Sequence, residues 1–455
     1  MPERISALSA NANNRQNHVT TRSWFIPLMM RLHFYIGLFV GPFLLIAALS
    51  GIFYALTPQI ESHYYAEQLY NRSHGPALSL GAQIRAAQAD APPQATLSAV
   101  RPAPAVGENT RVLFNMAGLQ PSERLAVFVD PVTADIHGKM TVYGTSGILP
   151  LRTWLDQLHR SLLLGDIGRY YSELAASWLW IAALGGLILW RAKRNAKKGL
   201  RAVHRKVGLF VLIGLLFFSA TGLTWSKWAG DNISILRQQL GWATPSIATA
   251  LSSASAETLD EHAEHRHHAM PKGESMPVWD VDTYDRVLQI ARQAGINADK
   301  LEIKQPASSG VAWTVSEIDR RWPTQVDAVA VDAANSTITD HVRFEHYPLA
   351  AKLTRWGIDL HMGVLFGWVN TLVLVVFAAG LAAMVIMGYL MWWRRRAMQS
   401  LRDCAFPLLR HAPKGPLVAI ITLTLLVGFC LPVMGASLLL FLLIDWLRYC
   451  WQKQH

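Results

Sequence analysis

The sequence predicts a polytopic α-helical membrane protein. Four core transmembrane helices form two pseudo-symmetric repeats, a C-terminal helical hairpin follows them, and two small α+β modules lie outside the membrane. Three observations carry this prediction. Hydrophobic residues make up 51% of the 455 residues and include 17 tryptophans, the apolar runs end in basic clusters, and the first half of the chain recurs in the second. Such a composition is unusual for a soluble domain and ordinary for a membrane protein.

The repeat begins with a histidine motif. His33 and His204 are each followed, after three residues, by Gly-Leu-Phe-Val. Both runs carry a further glycine at the same offset, Gly51 and Gly222, each preceded by a hydroxyl residue. Self-similarity at this spacing indicates a duplicated structural unit.

A second motif recurs in the same order. His159 and His361 each follow a leucine and precede a glycine six residues later, and the match continues to Gly186 and Gly388. The two copies cover roughly 31–196 and 202–397. Each copy therefore contributes one histidine to each of its two halves.

Charge predicts the orientation in the membrane. The net charge is +11, but the basic residues cluster at the ends of apolar runs, as in the acid-free loop 191–206 and at Arg394–Arg396. The positive-inside rule places these clusters and the N-terminus in the cytoplasm. This distribution disfavours nucleic acid as a partner and favours membrane lipid. The three cysteines, all in the C-terminal part, suggest no disulfide framework.

The predicted domains follow from this topology. They are a cytoplasmic tail (1–24), transmembrane helix 1 (25–57), module 1 (58–152), an amphipathic helix with transmembrane helices 2 and 3 and their basic loop (153–228), a histidine-rich linker with module 2 (229–356), transmembrane helix 4 (357–397), and a loop with the C-terminal hairpin (398–455). The first apolar run is too long for a cleavable signal peptide. Pro58 is expected to end it, and the fourth span is expected to run unbroken over about 360–392.

Each module is expected to combine a helix with strands. The predicted elements are a helix at Leu80–Ala89 with strands at Arg111–Met116 and Arg124–Val129, and a helix at Thr283–Ala294 with strands at Ala312–Ile318, Ala328–Asp332 and Thr337–Phe344. Alternating apolar residues bounded by turn residues favour these strands.

The topology sorts the four histidines into two levels, separated by roughly 30 Å of bilayer. His33 and His204 begin outward-going helices near the cytoplasm, whereas His159 and His361 precede inward-going helices near the outer surface. Pseudo-twofold packing would bring His33 to His204 and His159 to His361. Two converging imidazoles in an apolar bundle suit a b-type haem, and the chain has no Cys-x-x-Cys-His attachment motif. We therefore predict two non-covalent haems.

Glycines support the same prediction. Gly51 and Gly222 lie about 18 residues beyond their histidines, or ~27 Å along a helix axis, which places them near the outer pair. Gly186 and Gly388 should lie near the inner pair. Residues without Cβ let a flat macrocycle or another helix approach closely.

Other interpretations of the histidines exist. A single histidine at a helix end is more often an interfacial residue than a ligand, and His63 and His346 are alternative ligands near the outer surface. A transition metal bound directly between the same histidines is a weaker hypothesis, because no carboxylate or thiolate joins either pair.

The motifs Arg31-Leu-His33, Leu158-His159, His204-Arg-Lys-Val-Gly208 and Leu360-His361-x-Gly363, with their following glycines, resemble those of the PepSY-associated transmembrane proteins. The resemblance covers about 25–397, and the two modules look like PepSY domains. It implies a bacterial inner-membrane haem protein with periplasmic modules that reduces ferric siderophores for iron uptake. The stretch 416–449 lies outside the resemblance.

The resulting hypothesis is a di-haem b oxidoreductase with no catalytic residues beyond the haems. Electrons would enter at the cytoplasmic-side pair and leave at the outer pair, where a ferric chelate would dock close to Trp154, Arg160 and Trp356. Aromatic rings and a cation suit an anionic or planar chelate. Because the sequence has no nucleotide or flavin motif, the electron donor would be quinol or a separate protein.

Two rival functions remain open. A PepSY-domain sensor or peptidase regulator would need no cofactor, and a metal transporter would use the histidine-rich linker. That linker contains His262, His265, His267 and His268. Its pattern matches no defined structural metal site, so weak metal binding or a solvated linker are the two interpretations.

Overall fold

The computed structural model describes residues 21–192, 198–251, 279–394, 406–410 and 412–454. The helices are α1 (Thr21–Tyr35), continued by a π-helical turn (Ile36–Val40), α2 (Gly41–Tyr64), α3 (Ala66–Leu69), α4 (Leu80–Asp90), α5 (Pro150–Ser161), α6 (Gly165–Ala192), α7 (Leu200–Thr224), α8 (Trp228–Gln239), α9 (Thr283–Gln293), α10 (Leu349–His361), α11 (Trp368–Trp393), α12 (Phe406–Arg410), α13 (Lys414–Cys430) and α14 (Pro432–Gln454). The strands are β1 (Thr96–Arg101), β2 (Thr110–Asn115), β3 (Glu123–Val129), β4 (Ile136–Tyr143), β5 (Leu301–Lys304), β6 (Trp313–Glu317), β7 (Ala328–Asp332) and β8 (Thr337–Val342).

The helices define a multi-pass membrane protein. Within the described residues, five helices are long and apolar enough to cross a bilayer: Trp24–Tyr64, Gly165–Ala192, Leu200–Thr224, Trp368–Trp393 and Pro432–Gln452. The apolar helix α13 is shorter. The stretch 416–449 thus lies in two helices, because α13 ends before Leu431 and α14 begins at Pro432.

The first span does not end at Pro58, contrary to the sequence prediction. Helix α2 continues through this proline to Tyr64. A proline removes one backbone donor, and membrane helices tolerate it where Ser or Thr side chains satisfy the nearby carbonyls. The Thr57 hydroxyl donates to the neighbouring Phe53 carbonyl at 2.7 Å, one residue before the Tyr54 carbonyl that loses its helical donor at Pro58.

The fourth span is also interrupted. Helix α10 ends at His361 and α11 begins at Trp368. Between them Gly363 and Gly367 have φ of +75° and +64°, a left-handed conformation that an α-helix does not contain. The histidine therefore lies at the end of a separate helix rather than inside a continuous span.

The chain divides into two compact units. The first comprises Met1–Leu49, Arg160–Ile233 and Val376–His455, and the second comprises Ser50–His159 and Ser234–Val375. In the first unit, parts of α2, α6, α7, α11 and α14 share an apolar core. Close helix approach depends on small residues, since a Cβ at Gly214 would come within 2.5 Å of the Phe377 ring. The fully buried Glu173 carboxylate accepts the backbone N–H of Trp228 at 2.9 Å and so caps α8.

The second unit contains one eight-stranded antiparallel sheet in the order β4-β3-β2-β1-β5-β6-β7-β8. The two modules expected from the sequence are therefore halves of a single sheet. They join where β1 pairs with β5, in the register Ala99 with Lys304 and Val100 with Ile303. Helices α4 and α9, one from each half, cover one face and share a common apolar core with the sheet. Each half is a helix followed by four strands, one strand more than expected in module 2 and two more in module 1.

A buried ion cluster reinforces the central junction. Glu302 on β5 is 4% exposed and pairs with Arg101 of β1 at 2.6 Å, Arg124 of β3 at 3.3 Å and Lys304 at 3.2 Å. Burial alone would raise the pKa of Glu302, but these three cations more than offset it and hold the pKa well below its usual range. The cluster therefore ties the two halves of the sheet together as charged partners.

Candidate functional site

The structure brings the first two predicted histidines together. His33 on α1 and His204 on α7 have ring centroids 6.4 Å apart, and their ring planes are inclined by 85°. The Nδ1 atoms of both rings are buried and, among the described residues, have no hydrogen-bond partner. Buried polar atoms normally have one, and a backbone carbonyl lies near each ring, that of Ala182 for His33 and that of Met384 for His204.

Gly186 lies directly beside this pair, as predicted. A Cβ built at Gly186 would lie 3.4 Å from Cε1 of His33. Its counterpart in the second repeat, Gly388, has no described atom within 4 Å of such a Cβ. The repeat is thus asymmetric at this level, because only the first copy places its glycine against a histidine ring.

The second pair lies in the other compact unit. His159 on α5 and His361 at the end of α10 also have ring centroids 6.4 Å apart, with planes inclined by 58°. Burial, and then the nearby His159, lower the pKa of His361 to about 3. A ring with so low a pKa is neutral at physiological pH, which is the form that binds metals.

Two small residues of α2 hold His159 in place. The Ser50 hydroxyl lies 3.0 Å from Nδ1 of His159, and a Cβ at Gly51 would lie 3.3 Å from Cε1 of the same ring. The equivalent Gly222 packs elsewhere, since its Cβ would meet the Ala176 side chain at 3.2 Å. When the Ser50 hydroxyl accepts a hydrogen bond from a protonated Nδ1, the lone pair of Nε2 is available for a ligand.

The separation of both pairs fits one metal ion between two rings. Imidazoles that coordinate an ion from opposite sides at about 2 Å each have ring centres roughly 6 Å apart. Within the described ranges, no group of three or more His, Cys, Asp or Glu could hold a metal ion. Each pair could hold a metal group that brings its remaining ligands with it, as a haem does.

The alternative histidines lie at the surface. His63, near the end of α2, is exposed. The His346 side chain is 65% exposed, and its Nε2 lies 3.3 Å from Glu345. The structure instead brings His159 and His361 close together, with their ring planes inclined by 58°. The linker histidines His262, His265, His267 and His268 lie outside the described residues.

The predicted substrate contacts differ in exposure. Trp154 on α5 is 51% exposed. Trp356 on α10 is half-buried, donates its indole N–H to the Pro323 carbonyl at 2.9 Å, and packs against Phe344. Arg160 directly follows His159, is half-buried, and belongs to the first compact unit. Trp154 is therefore the one of the three that presents a largely exposed ring.

Sequence reasoning missed three residues around the outer pair, namely Ser50, Tyr54 and Arg152. A signal for Ser50 exists, because a hydroxyl residue precedes the glycine in both repeats. Tyr54 lies one turn beyond Gly51, and Arg152 lies two turns before His159. Helical spacing could have placed both near the site.

The spans define the class: a multi-pass membrane protein that also contains an eight-stranded antiparallel sheet and two pairs of neighbouring histidines. The family model of the PepSY-associated TM region matches residues 30–395. The chain belongs to this family. No curated protein matches the chain.

Proposed function

We propose that the protein is an oxidoreductase of the bacterial inner membrane that binds two b-type haems and reduces a periplasmic ferric siderophore, releasing Fe(II) for uptake. One observation carries the proposal. His33 pairs with His204 and His159 with His361 at the same ring separation of 6.4 Å. Neither the sheet nor the packing of the spans requires imidazoles at these positions.

The residues of each pair have defined roles in this proposal. His33 and His204 would hold one haem on the cytoplasmic side, and His159 and His361 would hold the other on the periplasmic side. Ser50 orients the His159 ring through its contact with Nδ1. The low pKa of His361 keeps its ring nitrogen free of a proton for coordination. A bound haem would supply reversible one-electron transfer at each pair.

Two histidines at each haem would restrict how the substrate is used. If both rings of a pair held the haem, a ferric chelate would need only to approach the site closely. The substrate Fe(III) gains one electron and becomes Fe(II), which binds hard oxygen ligands less strongly and leaves the siderophore. Trp154, the largely exposed aromatic ring on the helix of His159, would contact the chelate, with Arg160 as a cation and Trp356 as a supporting ring.

Orientation follows from charge. The basic residues at 191–206 and Arg394–Arg396 favour the cytoplasm, which would place the sheet in the periplasm. The electron donor would then be quinol in the membrane or a separate reductase.

The test has two parts. A pyridine haemochrome assay on protein from haem-replete cells should give two haems per chain. The chemically reduced, oxygen-free protein should then be reoxidised by ferric siderophores in stopped flow, faster than free haem in detergent. A colourless, folded preparation would refute the haem proposal. Haem without reoxidation by any ferric chelate would refute the reductase and favour a sensor or peptidase regulator.

A further inference from the structure

Arg152 is fixed beside the outer histidine pair by the helix that carries His159. It lies seven residues before His159 on α5, and two helical turns bring residues at this spacing to one face. Its guanidinium lies 4.5 Å above the ring of Tyr54. Tyr54 is three residues beyond Gly51 on α2, and therefore follows the face that contacts the His159 ring.

Arg152 also contacts the residue that follows the other histidine. Its Nη2 lies 3.4 Å from the carbonyl of Met362, the residue after His361. Arg320 approaches the same residue, with Nη1 3.7 Å from the Met362 sulfur. The guanidinium of Arg152 is therefore held between the Tyr54 ring of α2 and the turn that follows His361.

The acidic groups nearby are mostly engaged elsewhere. Glu61 accepts the backbone N–H of Arg152 at 2.8 Å. Asp359 accepts from Arg355 at 2.8 Å and faces Arg320 at 3.5 Å. Asp156, one turn along α5, is close enough to Tyr54 to interact with it electrostatically, as are Arg152 and Arg320. The Nε atom of Arg152 is buried, and none of the described residues accepts a hydrogen bond from it.

A buried guanidinium donor without an acceptor costs free energy unless a bound group supplies one. We infer that Arg152, supported by Arg320, binds the propionate carboxylates of a haem held by His159 and His361. This inference rests on the proposed function. A carboxylate matches the fork of a guanidinium and forms a short, charge-assisted pair with it. Because Nε is buried, an acceptor for it must lie inside the protein, which favours a cofactor carboxylate over a diffusing chelate or a lipid phosphate.

The experiment compares Arg152→Gln and Arg152→Lys with the exposed control Arg85→Gln. Arg85 lies on α4 and is paired with Asp282, so the Arg85→Gln substitution removes the same charge at an exposed position. Midpoint potentials are measured by spectroelectrochemistry, for the spectral component that is lost in His159→Ala. In the inferred arrangement Arg152 offsets the negative propionate charge that disfavours reduction of the haem, so R152Q should shift this component to a more negative potential, R152K by less, and R85Q not at all.

Apo-protein reconstituted with haem dimethyl ester makes the test specific. The ester has no propionate charge for Arg152 to offset, so the differences in potential between wild type, R152Q and R152K should become much smaller with it. An R152Q shift of undiminished size with the ester would overturn the inference and favour a different anion, such as a substrate or lipid group. If the midpoint potential shifted equally in R152Q and R152K, and by the same amount with free and esterified haem, Arg152 would only stack on Tyr54.

The two proposals fail differently. A wild-type protein without haem refutes the proposed function, whereas a protein with two haems and an unchanged potential in R152Q refutes only the role of Arg152. Should R152Q fail to fold, the comparison of wild type with R152K, with free and esterified haem, decides the question. The two must then differ with free propionates, and differ much less with the ester.

Discussion

At His159, two small residues of α2 decide how the ring lies. Ser50 contacts Nδ1 and Gly51 leaves room beside Cε1. We expect Gly51→Val to displace the His159 imidazole. Even a single Cβ at position 51 would lie only 3.3 Å from its Cε1, and overpacking costs about 1–3 kcal/mol. One of the two proposed haems should then be lost, as measured by the haemochrome-to-protein ratio.

The matched control for this substitution is Leu56→Val. It places the same β-branched residue on an exposed position of the same helix, and it should leave the haem content unchanged. Equal haem content in both variants would show that space beside His159 is not critical.

The pairing of the histidines gives a second prediction at this scale. His159→Ala and His361→Ala should abolish the same spectral component, and His33→Ala and His204→Ala the other, because each pair shares one iron in the proposed arrangement. His63→Ala and His346→Ala, both at exposed positions, serve as controls that keep both components. Loss of different components within one pair would contradict the pairing.

At the scale of elements, the tight connection between α5 and α6 depends on a glycine. A Cβ at Gly168, in the first turn of α6, would collide with the carbonyl of Ser161 at the end of α5. Gly168→Ala should therefore force the two helices apart, at a cost of about 1–3 kcal/mol. A lower unfolding temperature in detergent, followed by circular dichroism, checks this expectation.

Gly415→Ala is the control for that change. A Cβ at Gly415, in the first turn of α13, meets no described atom within 4 Å, so alanine introduces no packing clash there. Its unfolding temperature should be equal to wild type or higher. A Gly168→Ala protein as stable as this control would contradict the packing argument.

Local pattern predicted the elements with strong periodicity and missed those without it. The helix at Leu80–Ala89 and the strand Ala328–Asp332 were placed almost correctly. Strand β1 was missed because prolines flank it, and β4 because Gly138 and partial exposure weaken its alternation. The histidine partners were predictable because the repeat carries long-range information, whereas the β1–β5 register has no local signal and follows from packing.

At the scale of the molecule, Glu302 makes the joined sheet sensitive to acid. Its pKa lies well below the usual 4.5, so its stabilising effect is complete above about pH 4.5 and declines as the pH falls toward the depressed value. Glu302→Gln should destabilise the sheet by about 3–5 kcal/mol at neutral pH, because it leaves buried cations unpaired.

Hydrogen exchange of the β1 and β5 amides measures this effect. In wild type these amides should lose protection between pH 5 and pH 3, after correction for intrinsic exchange. In E302Q they should be weakly protected at both pH values. An E302Q protein with wild-type protection at neutral pH would contradict the role of the cluster.

The junction between β1 and β5 also has a consequence in time. Strand β1 can pair at Ala99 only after Lys304 of β5 has been synthesised. Ribosomes need about 10–40 s to add the roughly 200 residues between them. During that interval the first repeat exposes an unpaired edge of the kind that seeds aggregation. Biogenesis of this protein therefore includes a period in which its first half is incomplete, and a chaperone that shields strand edges should raise the yield of folded protein.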